Sequence, residues 1–112
     1  MGENEQTAEK EKVKAVDISM LDTYTLLGLF INLLSVQAWR DMGLRTDPKT
    51  NEIKTDFERA SVAIDCIRYL LDKLEPQLNQ NERFRLKSLL TDLQVNFVQQ
   101  SEQQKQTNPG NS

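Results

Sequence analysis

Asp65 and Cys66 stand side by side in the run Val62-Ala63-Ile64-Asp65-Cys66-Ile67, where a carboxylate and a thiol share an apolar setting. Burial there would raise the carboxyl pKa, and a thiolate beside a cation would be a nucleophile. Both chemistries need company that the chain withholds. Its 112 residues include no histidine, which removes the commonest general base and the commonest metal ligand together. Helical spacing groups Asp65 with Glu58, Ser61 and Asp72 on a wet face, and leaves Cys66 only Arg59 and Lys73 as cations on its own face of the helix. The expectation is a solvated Asp65 and a buried, inert Cys66. No CxxC, HExxH, phosphate-loop or dinucleotide glycine pattern occurs. The expected chain is not an enzyme, and no catalytic residue, metal site or cofactor is assigned to it.

Arg83, Arg85 and Lys87 form a small basic cluster. Nucleic-acid binding would use such charges, but three of them without interleaved aromatics, on a chain of net charge −3, make a solvated face instead. No nucleic-acid partner is expected. A single cysteine allows no intrachain disulfide. The Glu/Lys-rich residues 1–14 carry no apolar run that would make a secretory signal, and Gln6 breaks the myristoylation pattern after Gly2. The expected compartment is the cytoplasm.

Positioning falls to an all-α architecture of three helices, at about 19–42, 56–74 and 80–100. Ser19 with Asp22, Thr55 with Glu58 and Asn79 with Glu82 supply N-terminal capping patterns. Gly43 and Pro76 stand where helix ends are expected. The second helix has a main stripe of Phe57, Ala60, Ile64, Ile67, Leu71 and Leu74, and a lesser one of Val62, Cys66 and Tyr69. Leu86, Leu89, Leu90, Leu93 and Phe97 form the apolar face of the third. A very short joint makes the last two an antiparallel hairpin. Residues 43–55 form a long connector with turn chemistry at Asp47-Pro48 and Thr50-Asn51, either a plain loop or a small hairpin-like excursion. Residues 1–17 are expected to be a disordered charged tail, residues 18–100 a single domain, and residues 101–112 a disordered Gln-rich tail.

The first helix is the unusual one. Eight of the eleven residues from Leu26 to Val36 are large and apolar, so it has no clean polar side. One stripe runs through Met20, Tyr24, Leu27, Ile31, Leu34 and Ala38; a second runs through Leu26, Phe30, Leu33 and Val36. A third strip carries Thr25, Gly28, Asn32, Ser35 and Trp39. The uncharged run from Thr23 to Trp39 spans roughly 25 Å as a helix, short of a hydrocarbon core of about 30 Å. Burial against protein is the better expectation.

The other two helices can shield one side of the first. Leu26, Phe30, Leu33 and Val36 would then stay wet, at about 1.5–3 kcal/mol of forgone burial each. A second copy packed helix one against helix one removes that exposure, so a homodimer or higher homo-oligomer is expected to complete the fold. Asn32 either pairs across the seam and fixes its register or sits on the wetter edge. Trp39 either anchors the interface or packs in the core or rim. The candidate interface is thus Leu26, Phe30, Asn32, Leu33, Val36 and Trp39.

Laid out in order, the chain resembles a small bacterial domain-of-unknown-function family, number 1844. The resemblance rests on Met20-Leu21-Asp22-Thr23-Tyr24, Gln37-Ala38-Trp39, Met42-Gly43-Leu44, Asp47-Pro48 and Ala63-Ile64-Asp65. It continues through Leu70-Leu71-Asp72-Lys73-Leu74, Leu89-Leu90-Thr91-Asp92-Leu93 and Asn96-Phe97-Val98, and covers about residues 19–99. It implies an all-helical bacterial protein and brings no catalytic residue. The function expected is a non-catalytic helical module that self-associates or docks a partner protein; the alternative is a membrane-peripheral protein that inserts helix 19–42 into a bilayer surface.

Overall fold

Asp22 sets where the first long helix begins. Its carboxylate accepts from the Thr25 backbone N–H at 3.0 Å, satisfying one of the donors that a helix start leaves without a partner. The computed structural model describes residues 17–107. Within them, α1 is Thr23–Asp41, α2 is Phe57–Leu74 and α3 is Gln80–Thr107, with short 3-10 turns at Ile18–Met20 and Glu75–Gln77. No strand occurs among the described residues. Of the expected tail at residues 1–17 all but Asp17, and of the other residues 108–112, lie outside them.

The caps differ from expectation in an instructive way. Ser19 does not start α1, because Asp17 takes the Ser19 N–H at 3.0 Å and closes the preceding 3-10 turn. Thr55 likewise yields to its neighbour Asp56, which accepts from Arg59 N–H at 3.0 Å. Asn79 and Glu82 form the reciprocal capping box as read, at 2.8 and 3.1 Å. The third helix runs to Thr107 rather than about Gln100. Its extra turns are mostly Gln, Glu and Lys, good helix formers, with no Gly or Pro before Pro109.

At the other end of α1, Leu44 N–H reaches Trp39 O at 3.0 Å and Gly43 N–H reaches Arg40 O at 2.9 Å, the paired bonds of a Schellman close. Gly43 holds φ +83°, and a Cβ there would lie 2.6 Å from the Thr55 methyl. Gly43→Ala is therefore expected to cost about 1–2 kcal/mol for the left-handed backbone alone, with the clash adding to it. Urea unfolding of the two proteins checks this; equal midpoints would refute it.

The connector makes the hairpin-like excursion. Asp47 N–H bonds Glu52 O at 2.8 Å, Asn51 N–H bonds Asp47 O at 2.7 Å, and the Asp47 carboxylate takes Lys49 N–H at 2.8 Å. Asn51 sits at φ 56°, a left-handed position that Asn tolerates. Asp56 N–H to Asp41 O, 2.7 Å, then ties the start of α2 to the end of α1 and makes the two antiparallel.

The core is built around α2. Its Ala60, Ala63, Ile64, Ile67, Leu71 and Leu74 are buried with Ile31 and Ala38 of α1, Met42 just past its end, and Leu86 and Leu93 of α3. Phe57 meets Phe97 edge to face with centroids 5.9 Å apart, which ties the start of α2 to the far half of α3. The hairpin of α2 and α3 is as expected. However, α3 packs along α2 and touches α1 only slightly, so α2 gives α1 most of its cover. The covered face of α1 holds four of the six residues of the expected stripe: Ile31 and Ala38 are buried, and Leu27 and Leu34 pack against the core. Ser35 and Met42 are buried as well, whereas Met20 and Tyr24, at the start, are exposed. Small side chains at Ser35 and Ala38 let α2 come close, and the Ser35 hydroxyl is satisfied by Asn32 O at 2.8 Å.

Candidate functional site

Because α2 covers one flank of an all-round apolar helix, the other flanks must face something else. On one side, Phe30, Leu33 and Leu34 of α1 and Cys66, Tyr69 and Leu70 of α2 wall an open groove of about 590 Å³, with Asp65 as its one charged residue. Phe30 is 41% exposed, Leu33 57%, Tyr69 63%, and Val62, one turn before Cys66, 59%, which puts a continuous apolar strip on the surface. Lone exposed apolar residues are ordinary; a strip made jointly by two helices marks an interaction surface.

The six candidate interface residues do not stay together. Phe30 and Leu33 line the groove. Leu26, one turn before Phe30, and Val36 are half-buried. Asn32 is exposed and lies in a different cleft, between α1 and α3, with Gly28, Arg85 and Leu86. Trp39 is half-buried against the core. In their place the structure adds Val62, Cys66 and Tyr69, whose four-three spacing marked a second stripe but said nothing of which side α1 would take.

Cys66 itself corrects an expectation: it is exposed, not buried. It lies on the groove side of α2, lining the groove with Phe30, Leu33 and Leu34 of α1. Asp65 is solvent-exposed as expected and pairs with Arg68 at 3.6 Å. No group of three or more potential metal ligands gathers among the described residues. No described helix is long and apolar enough to cross a membrane.

The basic cluster divides. Lys87 Nζ lies 2.6 Å from a Glu75 oxygen, Arg83 Nε 3.9 Å from the same atom, and an Arg83 amino group donates to Leu78 O at 3.2 Å. Glu75 is consequently held below the usual carboxylate range, by the Lys87 hydrogen bond first and then by both charges. These two cations brace the turn between α2 and α3, while Arg85 points to the α1–α3 cleft.

A second, polar cleft lies where the connector meets the helix ends, with Arg40, Asp41, Arg45, Lys54, Asp56 and Arg59 around it. Asp41 is the buried member. Desolvation raises its pKa and the nearby Asp56 charge adds to this, against a Gln37 hydrogen bond of 3.4 Å and the charges of Arg59 and Arg40. A raised folded-state pKa means that the native chain binds this proton more readily than the unfolded chain does. The ionised group therefore destabilises the fold above the folded pKa, and the penalty fades as pH falls toward the ordinary carboxylate range. Its place in the last turn of α1, at the negative end of the helix dipole, acts in the same direction. Asp41→Asn is expected to raise the urea midpoint at neutral pH and to lose that gain in acid. A variant no more stable at neutral pH would contradict the assignment.

Comparison with curated proteins and comparison with solved structures each returned no match. A family model described as "Domain of unknown function (DUF1844)" matches residues 24–99, from the first turn of α1 through the Phe97 contact in α3. That span takes in α2, all of α1 but its first residue, α3 as far as Gln99 and both walls of the groove, and the chain belongs to this family.

Proposed function

We propose that this domain is a non-catalytic docking module, and that the apolar face shared by α1 and α2 is where it self-associates or receives a partner protein. The observation that carries the reading is the exposure of Phe30, Leu33, Val62 and Tyr69 as one strip over a groove with a single charged residue. Each such side chain gains about 1.5–3 kcal/mol when buried. Insertion of α1 into a bilayer surface has less support. Ile31, Ser35 and Ala38 are buried against α2, so α1 is not free to present itself as a separate amphipathic helix.

Cys66 supplies the test, because it is exposed within the groove. Maleimide labelling in cells that produce the full chain should be slow relative to the dilute purified protein, and fast again in Leu33→Glu. Equal labelling in cells and in dilute solution would mean a bare face. Co-flotation with liposomes would move the assignment to the membrane.

A further inference from the structure

We infer that the occupant of this face is a second copy of the chain, stacked α1/α2 layer on α1/α2 layer, with the two α2 helices antiparallel about a two-fold axis between Asp65 and Cys66. This rests on the docking reading above and goes further by naming the partner and the register.

The register comes from the exposed side of α2. Glu58, Val62, Asp65, Cys66, Tyr69 and Lys73 are all exposed, and their spacing keeps them on one side of the helix. Two copies of one helix placed antiparallel bring each residue opposite the one equally far from the axis. Glu58 and Lys73 share a midpoint between Asp65 and Cys66, and so do Val62 and Tyr69. Antiparallel pairing on that midpoint therefore sets the carboxylate of each copy against the ammonium of the other at both ends. It also sets Val62 against Tyr69 on either side of the centre. No ion pair among the described residues engages Glu58. Lys73 lies over its own Tyr69 ring at 5.4 Å, already beside the apolar strip.

Charge favours the same partner. The groove's one carboxylate, Asp65, is paired with Arg68 on its own helix. The face presents no net charge that would select a strongly acidic or basic protein, and two copies can meet with little repulsion. Area agrees as well. With large side chains at about 150–250 Å² each, the exposed fractions of Phe30, Leu33, Val62 and Tyr69 leave roughly 400 Å² of apolar surface. That is about half of the roughly 800 Å² that each partner contributes to a standard interface. Leu26, Cys66, Leu70 and the charged ends extend the patch. The stack itself is a four-helix layer with α3 on the outside of each copy, a common way to bury two-helix faces.

The experiment uses the full chain at micromolar concentration. A small thiol oxidant should join two copies through Cys66, the only cysteine, as a disulfide formed within the pair, and Cys66→Ser should abolish the product. Glu58→Lys and Lys73→Glu should each weaken dimerisation about ten-fold, since each replaces two exposed attractions by two repulsions. The doubly exchanged variant should restore it, with circular dichroism showing equal helicity throughout. A dimer by mass that neither cross-links at Cys66 nor responds to the charge exchange overturns this arrangement and leaves the docking reading in place. A monomer whose Cys66 is nonetheless protected in cells overturns the second copy alone. A monomer with unprotected Cys66 overturns both.

Discussion

Ile67→Ala should lower the stability of the domain by about 2–5 kcal/mol, the usual cost of truncating a fully enclosed aliphatic side chain. Ile67 has no exposed surface and belongs to the cluster in which α2 joins α1 to α3. Its loss removes packing on both sides of the one helix that the other two share. A domain with three helices and little redundancy in its core has about 5–15 kcal/mol in total, so the truncation consumes a large part of it. The melting temperature should fall by at least about 8 °C at this chain length. Tyr69→Ala, half a turn away on the exposed side, should leave the stability of the isolated chain nearly unchanged. Thermal melts of both variants in dilute solution check the contrast. Equal losses at the two positions would show that the strip is part of the fold and not a docking face.

Leu33→Glu should have the opposite profile: little effect on the folded single chain and a large one on assembly. Leu33 is more than half exposed on α1, so its replacement opens no cavity. In a two-fold pair the substitution enters twice. Truncating a central interface side chain costs about 2 kcal/mol or more; two such losses come to roughly 4 kcal/mol, or about a thousand-fold in the dissociation constant. A carboxylate turned into an apolar contact adds its own desolvation cost. Light scattering over a dilution series should find the variant monomeric where the parent chain is paired. An unchanged mass profile would remove Leu33, and with it the groove, from the interface.

What could be read from the sequence was mostly local. Asn79 with Glu82 and the glycine at 43 were legible because each cap involves residues within one turn of each other. Ser19 and Thr55 were displaced as caps by Asp22 and Asp56, whose carboxylates accept from Thr25 and Arg59 N–H and start each helix further along. The periodicity of α2 predicted five of its six core residues, Ala60, Ile64, Ile67, Leu71 and Leu74. On α1 periodicity found Leu27, Ile31, Leu34 and Ala38 of the packed side but missed Ser35, since a helix apolar on nearly every side fits several rotations. Which side is covered depends on where α2 and α3 lie, and α3 stays beside α2 because Leu86, Leu93 and Phe97 are all engaged there. Cys66 was misplaced for the same reason: residue type favours burial, but its position on the helix falls just beyond the edge that α1 covers. Val62 and Tyr69 were visible as a stripe, yet their joining with Phe30 and Leu33 is a tertiary fact with no local signature.

If protein covers the α1/α2 face, sedimentation equilibrium of the unmodified full chain across the micromolar range will show a weight-average mass that rises from 12.9 kDa toward twice that value with concentration. A chain that stays at 12.9 kDa throughout, with Cys66 as reactive in cells as in dilute solution, would contradict it.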